Sequence, residues 1–337
     1  MSRAKRRTVE LVGIALTGVL AAVMISFIVL YWLREAPYFN IAYEQFRIAG
    51  RLLDFYLGTN VFQHPFMWQS MSTGVLIGIV APLVGTYLVH REMALIGETL
   101  AHTAFAGVAF GFLFSAVTGW DGSLLLIALI VGILGALGVQ WLAERTNTYG
   151  DVPIAIMLTG SFAVGTLIIS YGRGQTGINI EGYLFGNLSV VTVEGARLMA
   201  VLSVVVVALV ALTYKQLLFI TFDEQAARVA RLNVSAYNTL LIVMTAVVVV
   251  GAMQVLGVIL VAAMLVVPVA AASQIAQSFR ETLYLSIIFG QLSIIGGFAV
   301  SIHQGLPSGG SIVIVGISIY LLAIAVSSRS VSAISTH

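Results

Sequence analysis

The sequence predicts an all-α fold, a polytopic transmembrane helix bundle of about ten spans. Three observations predict it. Of 337 residues, 59% are hydrophobic and only 9% are charged, against roughly 25% charged in a soluble domain. The mean hydropathy is +1.03. Apolar runs of spanning length recur along the chain, and nearly all charges fall between them. A chain this apolar cannot cover its own surface with polar groups, so lipid must be its solvent. A backbone in lipid has to satisfy its own hydrogen bonds, which helices do.

A spanning helix takes roughly 20 mostly apolar residues. Such runs lie at 9–33, 66–89, 95–117, 123–143, 153–171, 193–213, 237–253, 255–272, 283–301 and 311–327. The first follows Arg3, Lys5, Arg6 and Arg7, as a signal-peptide core would. It exceeds the about 7–15 residues of such a core, and is expected to stay as a helix. The runs 237–253 and 255–272 form one apolar stretch broken by Gly251, Gln254 and Gly257. Two short helices meeting at a tight turn, or one long helix with a re-entrant piece, would both fit.

Ten spans put both termini on one side. If that side is the cytoplasm, eleven basic residues fall inside and five outside (Arg34, Arg47, Arg51, Arg173 and Arg197). Positive charge favours the cytoplasmic side, so the expected location is the plasma (inner) membrane, multi-pass, with both termini cytoplasmic.

Two segments between spans are more than connectors. In 38–58, Phe39, Tyr43, Phe46, Leu53 and Tyr56 recur at roughly helical spacing, interleaved with Glu44, Arg47, Arg51 and Asp54. This pattern predicts an amphipathic helix on the outer interface, either covering the bundle or docking a partner. The segment 214–236 is the longest polar stretch expected inside, and its Asp223, Glu224, Arg228 and Arg231 alternate with small apolar residues. It reads as a short charged helix protruding between two spans. No internal repeat is evident.

The missing chemistry is informative. With no cysteine there are no disulfides, thiolate metal sites or thiol nucleophiles. The two lysines, Lys5 and Lys215, do not stand in GxxxxGK[ST], and HExxH and GxSxG are absent. If the chain pumps, a different chain supplies the energy. The scattered basic residues argue against nucleic acid as a partner.

The chemistry that is present concentrates in MALIGETLAHTAFAGVAFG, residues 93–111. Ionisable side chains within spans usually mark a pathway. Glu98 and His102 are spaced i, i+4 and so share one helix face. With the span centred near Ala106, His102 lies about 6 Å and Glu98 about 12 Å from the midplane, on the cytoplasmic half. A carboxylate with a neutral imidazole is a fair ligand pair for zinc, manganese or ferrous iron. Gly97, Ala101, Ala104, Gly107 and Gly111 would permit close helix packing and leave room for an ion path. The structural alternatives are a dipole-favoured carboxylate in a first turn and a histidine bonded to a neighbouring carbonyl.

Other polar residues are weaker candidates. Glu181 and Asn187, near the outer mouth, could meet an arriving cation, and His303 sits at the outer end of the ninth span. His90 is expected to be solvated at an inner boundary, His64 is external and His337 is terminal.

The run REMALIGETLAHTAFAGVAFG resembles the signature region of the zinc/manganese/iron (ABC-3) family of ABC importer permeases, in which Arg-Met leads into Gly-Asp/Glu-x-x-x-His-Ala-x-x-x-Gly. EGYLFGNLSVVT is similar to the family's outer-mouth segment. DEQAARVARLNVSAYN is similar to its ATPase-coupling loop, and MQVLGVILVAAMLVVPVAAA with GLPSGGSIVIV to its C-terminal helices. The resemblance covers about 66–327. It divides the chain into 1–65, a transmembrane helix with an external amphipathic segment; 66–327, the permease core; and 328–337, a cytoplasmic tail.

The resemblance implies a vitamin-B12-permease-like fold, the type II ABC importer architecture, in a transport subunit that is not itself an enzyme. A second permease copy, in a homo- or heterodimer, would complete the core. Cytoplasmic ABC ATPase subunits would drive it, and an external metal-binding solute-binding protein would deliver zinc or manganese. No cofactor is expected to be bound permanently. Glu98 and His102 carry over as metal residues, and Phe222, Asp223, Glu224, Ala226, Ala227 and Arg228 as the ATPase-coupling segment. Its alanines would fill a groove in the ATPase, with Glu224 and Arg228 at the rim. The chain departs from the family pattern at Glu98, where Asp is commoner, at Thr103, where Ala is usual, and in its longer N-terminal extension. The TLAH context leans toward zinc.

Two rival classes remain at this point. An ion-coupled secondary metal transporter would usually show inverted repeats and broken helices. An intramembrane metalloenzyme would need more polar groups at depth.

Overall fold

The computed structural model describes residues 3–34, 37–119, 122–145, 152–172, 184–187, 191–258 and 260–327. Glu181 and His337 and the segment 328–337 lie outside them. The described residues are helical, with no strand among them.

The helices are α1 (Arg3–Trp32), α2 (Pro37–Leu57), α3 (Pro65–His90), α4 (Leu95–Thr118), α5 (Leu124–Arg145), α6 (Val152–Gly172), α7 (Val193–Phe222), α8 (Glu224–Val229), α9 (Val234–Leu256), α10 (Val261–Ile275), α11 (Phe279–Gln304) and α12 (Ser308–Val326). Among the described residues, nine helices are long and apolar enough to cross a membrane, and α10 is a shorter apolar helix of 15 residues.

α3 is the axis of the bundle. In its most apolar window 89% of residues are buried, because α1, α7, α9, α10 and α11 all pack on it. Helices in lipid gain little from apolar contact alone and associate through close backbone approach and polar links. Both occur here. Gly85 lies where a side chain would meet the backbone of Leu265. Gln291 donates from Nε2 to the Val75 carbonyl at 2.7 Å, and the Thr86 and Ser286 hydroxyls bond at 3.1 Å.

The apolar stretch after α9 resolves as two helices. Asn238, in the first turns of α9, bonds to Arg91 just beyond α3. Phe279, at the start of α11, packs on Tyr87 and His90 at the same end. α9 therefore finishes at the opposite end, and α10 returns the chain. Fifteen residues span about 22 Å of helix axis, and a turn that begins at Gly257 joins the two helices. Gly257 makes that turn with φ 78° and ψ 155°, a conformation an L-residue rarely adopts.

α2 differs from the expected amphipathic stripe. Tyr43, Gly50 and Asp54 are buried, whereas Phe39, Leu53 and Tyr56 are exposed. The cause is local. Asp54 accepts bonds from the Thr59 hydroxyl (2.8 Å) and from the amides of Val61, Phe62 and Gln63 (3.0, 3.0 and 2.8 Å). It thereby folds the α2–α3 connection onto its own helix. Trp68 Nε1 donates to the Phe62 carbonyl, and Phe27, Phe46 and Trp68 complete an aromatic cluster joining α1, α2 and α3. Burial pushes the Asp54 carboxyl up, but the four donors outweigh it and hold the group below its ordinary value.

Candidate functional site

α4 runs one residue past the expected span, and Glu98 stands in its first turn. Its small residues do not line an open path, as the sequence suggested. Gly107 and Gly111 are filled by Ala128, Val131, Leu124 and Ile127 of α5, and Gly97 by Leu265 of α10. Ala101 and Ala104 are buried. This back face is sealed, which leaves the Glu98–His102 face turned toward α6 and the open side of the chain.

On that face the side chains behave differently. Glu98 is exposed and His102 is half-buried. His102 meets the ring of Phe162 on α6 edge to face, with centroids 4.9 Å apart. Its Nδ1 is buried and has no hydrogen-bond partner, so the expected alternative of a histidine bonded to a neighbouring carbonyl does not hold for this atom. On the same helix, Thr103 bonds the Ser161 hydroxyl at 3.0 Å, and Thr99 reaches the Ile154 carbonyl at 3.3 Å. These links fix α6 against α4. Among the described residues, no three of His, Cys, Asp and Glu cluster closely enough to hold a metal. Among the described residues, this face thus offers a carboxylate and an imidazole, and no third ligand of those types.

The remaining candidates scatter. Asn187 is exposed in the short segment 184–187. His303, also exposed, lies elsewhere, on a groove of about 580 Å³ with Thr59, Phe62, Met67 and Phe298. His90 is not solvated as expected. It is half-buried, its Nδ1 lies 2.7 Å from the Thr86 carbonyl, and Phe222 and Phe279 flank the ring.

The charged segment after the sixth predicted span is shorter than expected, because α7 continues as helix to Phe222. Asp223 caps α8, accepting from the Ala226 amide at 2.8 Å. Ala227 cannot fill a partner's groove. It is fully buried with Ile220 and Val234 of its own chain. Ala226 is half-buried, while Phe222 and Val229 are 64% and 85% exposed. The apolar surface offered here is therefore Val229 of α8 with Phe222 at the end of α7.

Residues 63–327 match the ABC 3 transport family. The chain belongs to that family. A manganese transport system membrane protein, MntC, from Listeria monocytogenes is 30% identical over 263 residues, covering 78% of this chain and 91% of that protein. The manganese import system permease protein ScaB of Streptococcus gordonii is 27% identical over 258 residues, covering 77% and 90%. Among solved structures, PsaBC from Streptococcus pneumoniae in complex with Fab is similar with a TM-score of 0.69 at 29% identity, covering 78% of this chain and 92% of that one.

The matched region begins after α2, so α1 and α2 lie outside the part this ABC 3 protein shares with its family. Within it, one structural device was not legible as such. Gly186, Gly257 and Gly309 meet at the end of the bundle remote from α8. A side chain on Gly186 would collide with Val255 and Leu256, one on Gly257 with Leu184 and Gly186, and one on Gly309 with Leu256 and Phe185. Ser308 adds a bond to the Val255 carbonyl at 2.8 Å. The LFGN and GLPSGG segments carried the signal. Their mutual contact is tertiary.

Proposed function

We propose that this chain is the membrane-spanning subunit of an ATP-driven importer of a divalent transition metal, and that Glu98 and His102 hold the ion in transit. One observation carries the reading: the buried, unpartnered Nδ1 of His102 on the α4 face that also bears Glu98. An unsatisfied buried polar atom costs about 1–3 kcal/mol, and a passing cation with its water supplies the missing partner.

Glu98 is exposed on the lone chain. An ionised carboxylate facing hydrocarbon is costly, which supports a second permease copy covering this face. Its own acid–imidazole pair would supply the further ligands. The thiolate-free donor set of carboxylate, imidazole and water suits manganese and ferrous iron as well as zinc. The names of the relatives move the preference from zinc to manganese.

In this reading the end carrying α8 faces the cytoplasm and the ATPase subunits, in the plasma membrane, with both termini on that side. The opposite end, with Asn187 and the glycine junction, receives the solute-binding protein. Family membership favours this over an ion-coupled transporter.

The test is manganese uptake, with zinc and iron as competitors, in cells carrying Glu98→Ala or His102→Ala. Uptake is expected to vanish while the permease still assembles with its ATPase. Unchanged uptake in both variants removes the site.

A further inference from the structure

The connection from α3 to α4 is a tight turn in which Glu92 adopts a left-handed φ of 59°. Arg91 opens it. Its amide bonds back to Tyr87 and Leu88, and the Met93 amide returns to the Leu88 carbonyl at 2.9 Å. The turn is thus stiff, and the helix it launches carries Glu98 in its first turn.

The Arg91 side chain is only 9% exposed. Its Nη2 donates to Asn238 Oδ1 on α9 at 2.8 Å and stands 3.5 Å from Glu224 Oε2 on α8. The other Glu224 oxygen takes Arg228 Nη2 at 2.7 Å and Nε at 3.3 Å. One buried guanidinium therefore joins three elements: the α3–α4 turn, the docking helix α8 and the start of α9. The exposed Arg47–Glu44 pair at 2.8 Å is of the kind that contributes little. Glu224 is 40% exposed, so water weakens the pair, yet a guanidinium this little exposed is still costly to leave without its carboxylate, and its pairing constrains the elements that carry it.

We propose that Arg91 is a positioning residue that relays movement of α8 to α4. When α8 is displaced, Glu224 moves with it. Arg91 follows its carboxylate and carries the stiff turn, so the start of α4 shifts and the Glu98–His102 face is reoriented. This rests on the reading that α8 docks a cytoplasmic ATPase.

The experiment uses the complete complex of permease, ATPase and metal-delivering protein in liposomes, reading ATP hydrolysis and manganese uptake together. Arg91→Gln keeps a donor for Asn238 and removes the charge. Hydrolysis is expected to continue while uptake per ATP falls on the order of fivefold or more, the lower end of coupling between distant sites. Glu224→Gln, which leaves the Asn238 bond intact, should do the same, and it carries the test if Arg91→Gln does not assemble. Pairing Arg91→Glu with Glu224→Arg should recover part of the lost ratio. Normal uptake per ATP in the neutral variants, or a swap no better than its single changes, overturns the relay. Val229→Lys separates the two levels. If it leaves the ATPase bound, the docking reading falls and takes the relay with it. If it releases the ATPase while Arg91→Gln transports normally, only the relay falls.

Discussion

His102 and Phe162 meet edge to face at 4.9 Å, and this contact sets how the imidazole stands between α4 and α6. Aromatic pairs of this geometry contribute about 0.5–1.5 kcal/mol beyond area burial. Phe162→Ala should leave the fold intact, since Thr103–Ser161 and Thr99–Ile154 still join the two helices. The ring of His102 loses its stop. Metal uptake kinetics should show a rise in KM of roughly two- to tenfold, the ratio matching that energy, with assembly unchanged.

The glycine junction predicts a contrast in stability. Gly257→Ala places a Cβ against Leu184 and Gly186 at a φ of 78°. The backbone strain alone costs on the order of 1–3 kcal/mol, before the collision. A Cβ on Gly18 of α1 meets nothing within 4 Å, and Gly→Ala there should gain about 0.5–1 kcal/mol from helix entropy. Thermal unfolding in detergent should show Gly257→Ala well below the parent and Gly18→Ala at or above it.

Asp54 predicts a pH dependence with a definite sign. Its folded carboxyl is held below the unfolded value near 3.8, so its stabilisation is full above that value and is lost as pH falls through the lower folded one. The parent should therefore hold its Tm from neutral pH to about pH 5 and lose this contribution only in stronger acid. Asp54→Ala removes the acceptor for three amides and the Thr59 hydroxyl. It should lower stability by about 2 kcal/mol or more at neutral pH and abolish the acid-dependent part. A titration of Tm for both proteins checks this.

Val229, 85% exposed at the end of α8, touches little of its own chain. Val229→Lys should change permease stability by no more than about 0.5 kcal/mol. Co-purification of the ATPase should nevertheless fall by on the order of tenfold, as expected when a buried apolar anchor is lost at an interface. Equal recovery of ATPase with both proteins would contradict docking through this residue.

The amino-acid order alone determined the helical class, the position of nearly every span and the face shared by Glu98 and His102. Each is local: lipid demands long apolar runs with internally bonded backbone, and i, i+4 spacing sets a common face in any helix. The tertiary structure decided the rest. It showed that α5 and α10 fill the glycines of α4, that Ala227 turns inward, that Asp54 is buried at the heart of a connection, and that Arg91, Glu224 and Asn238 converge from a turn and two helices. These are choices about which of several equally apolar surfaces pack together. In lipid the hydrophobic effect does not distinguish between them, and shape and hydrogen bonds across long stretches of chain make the choice.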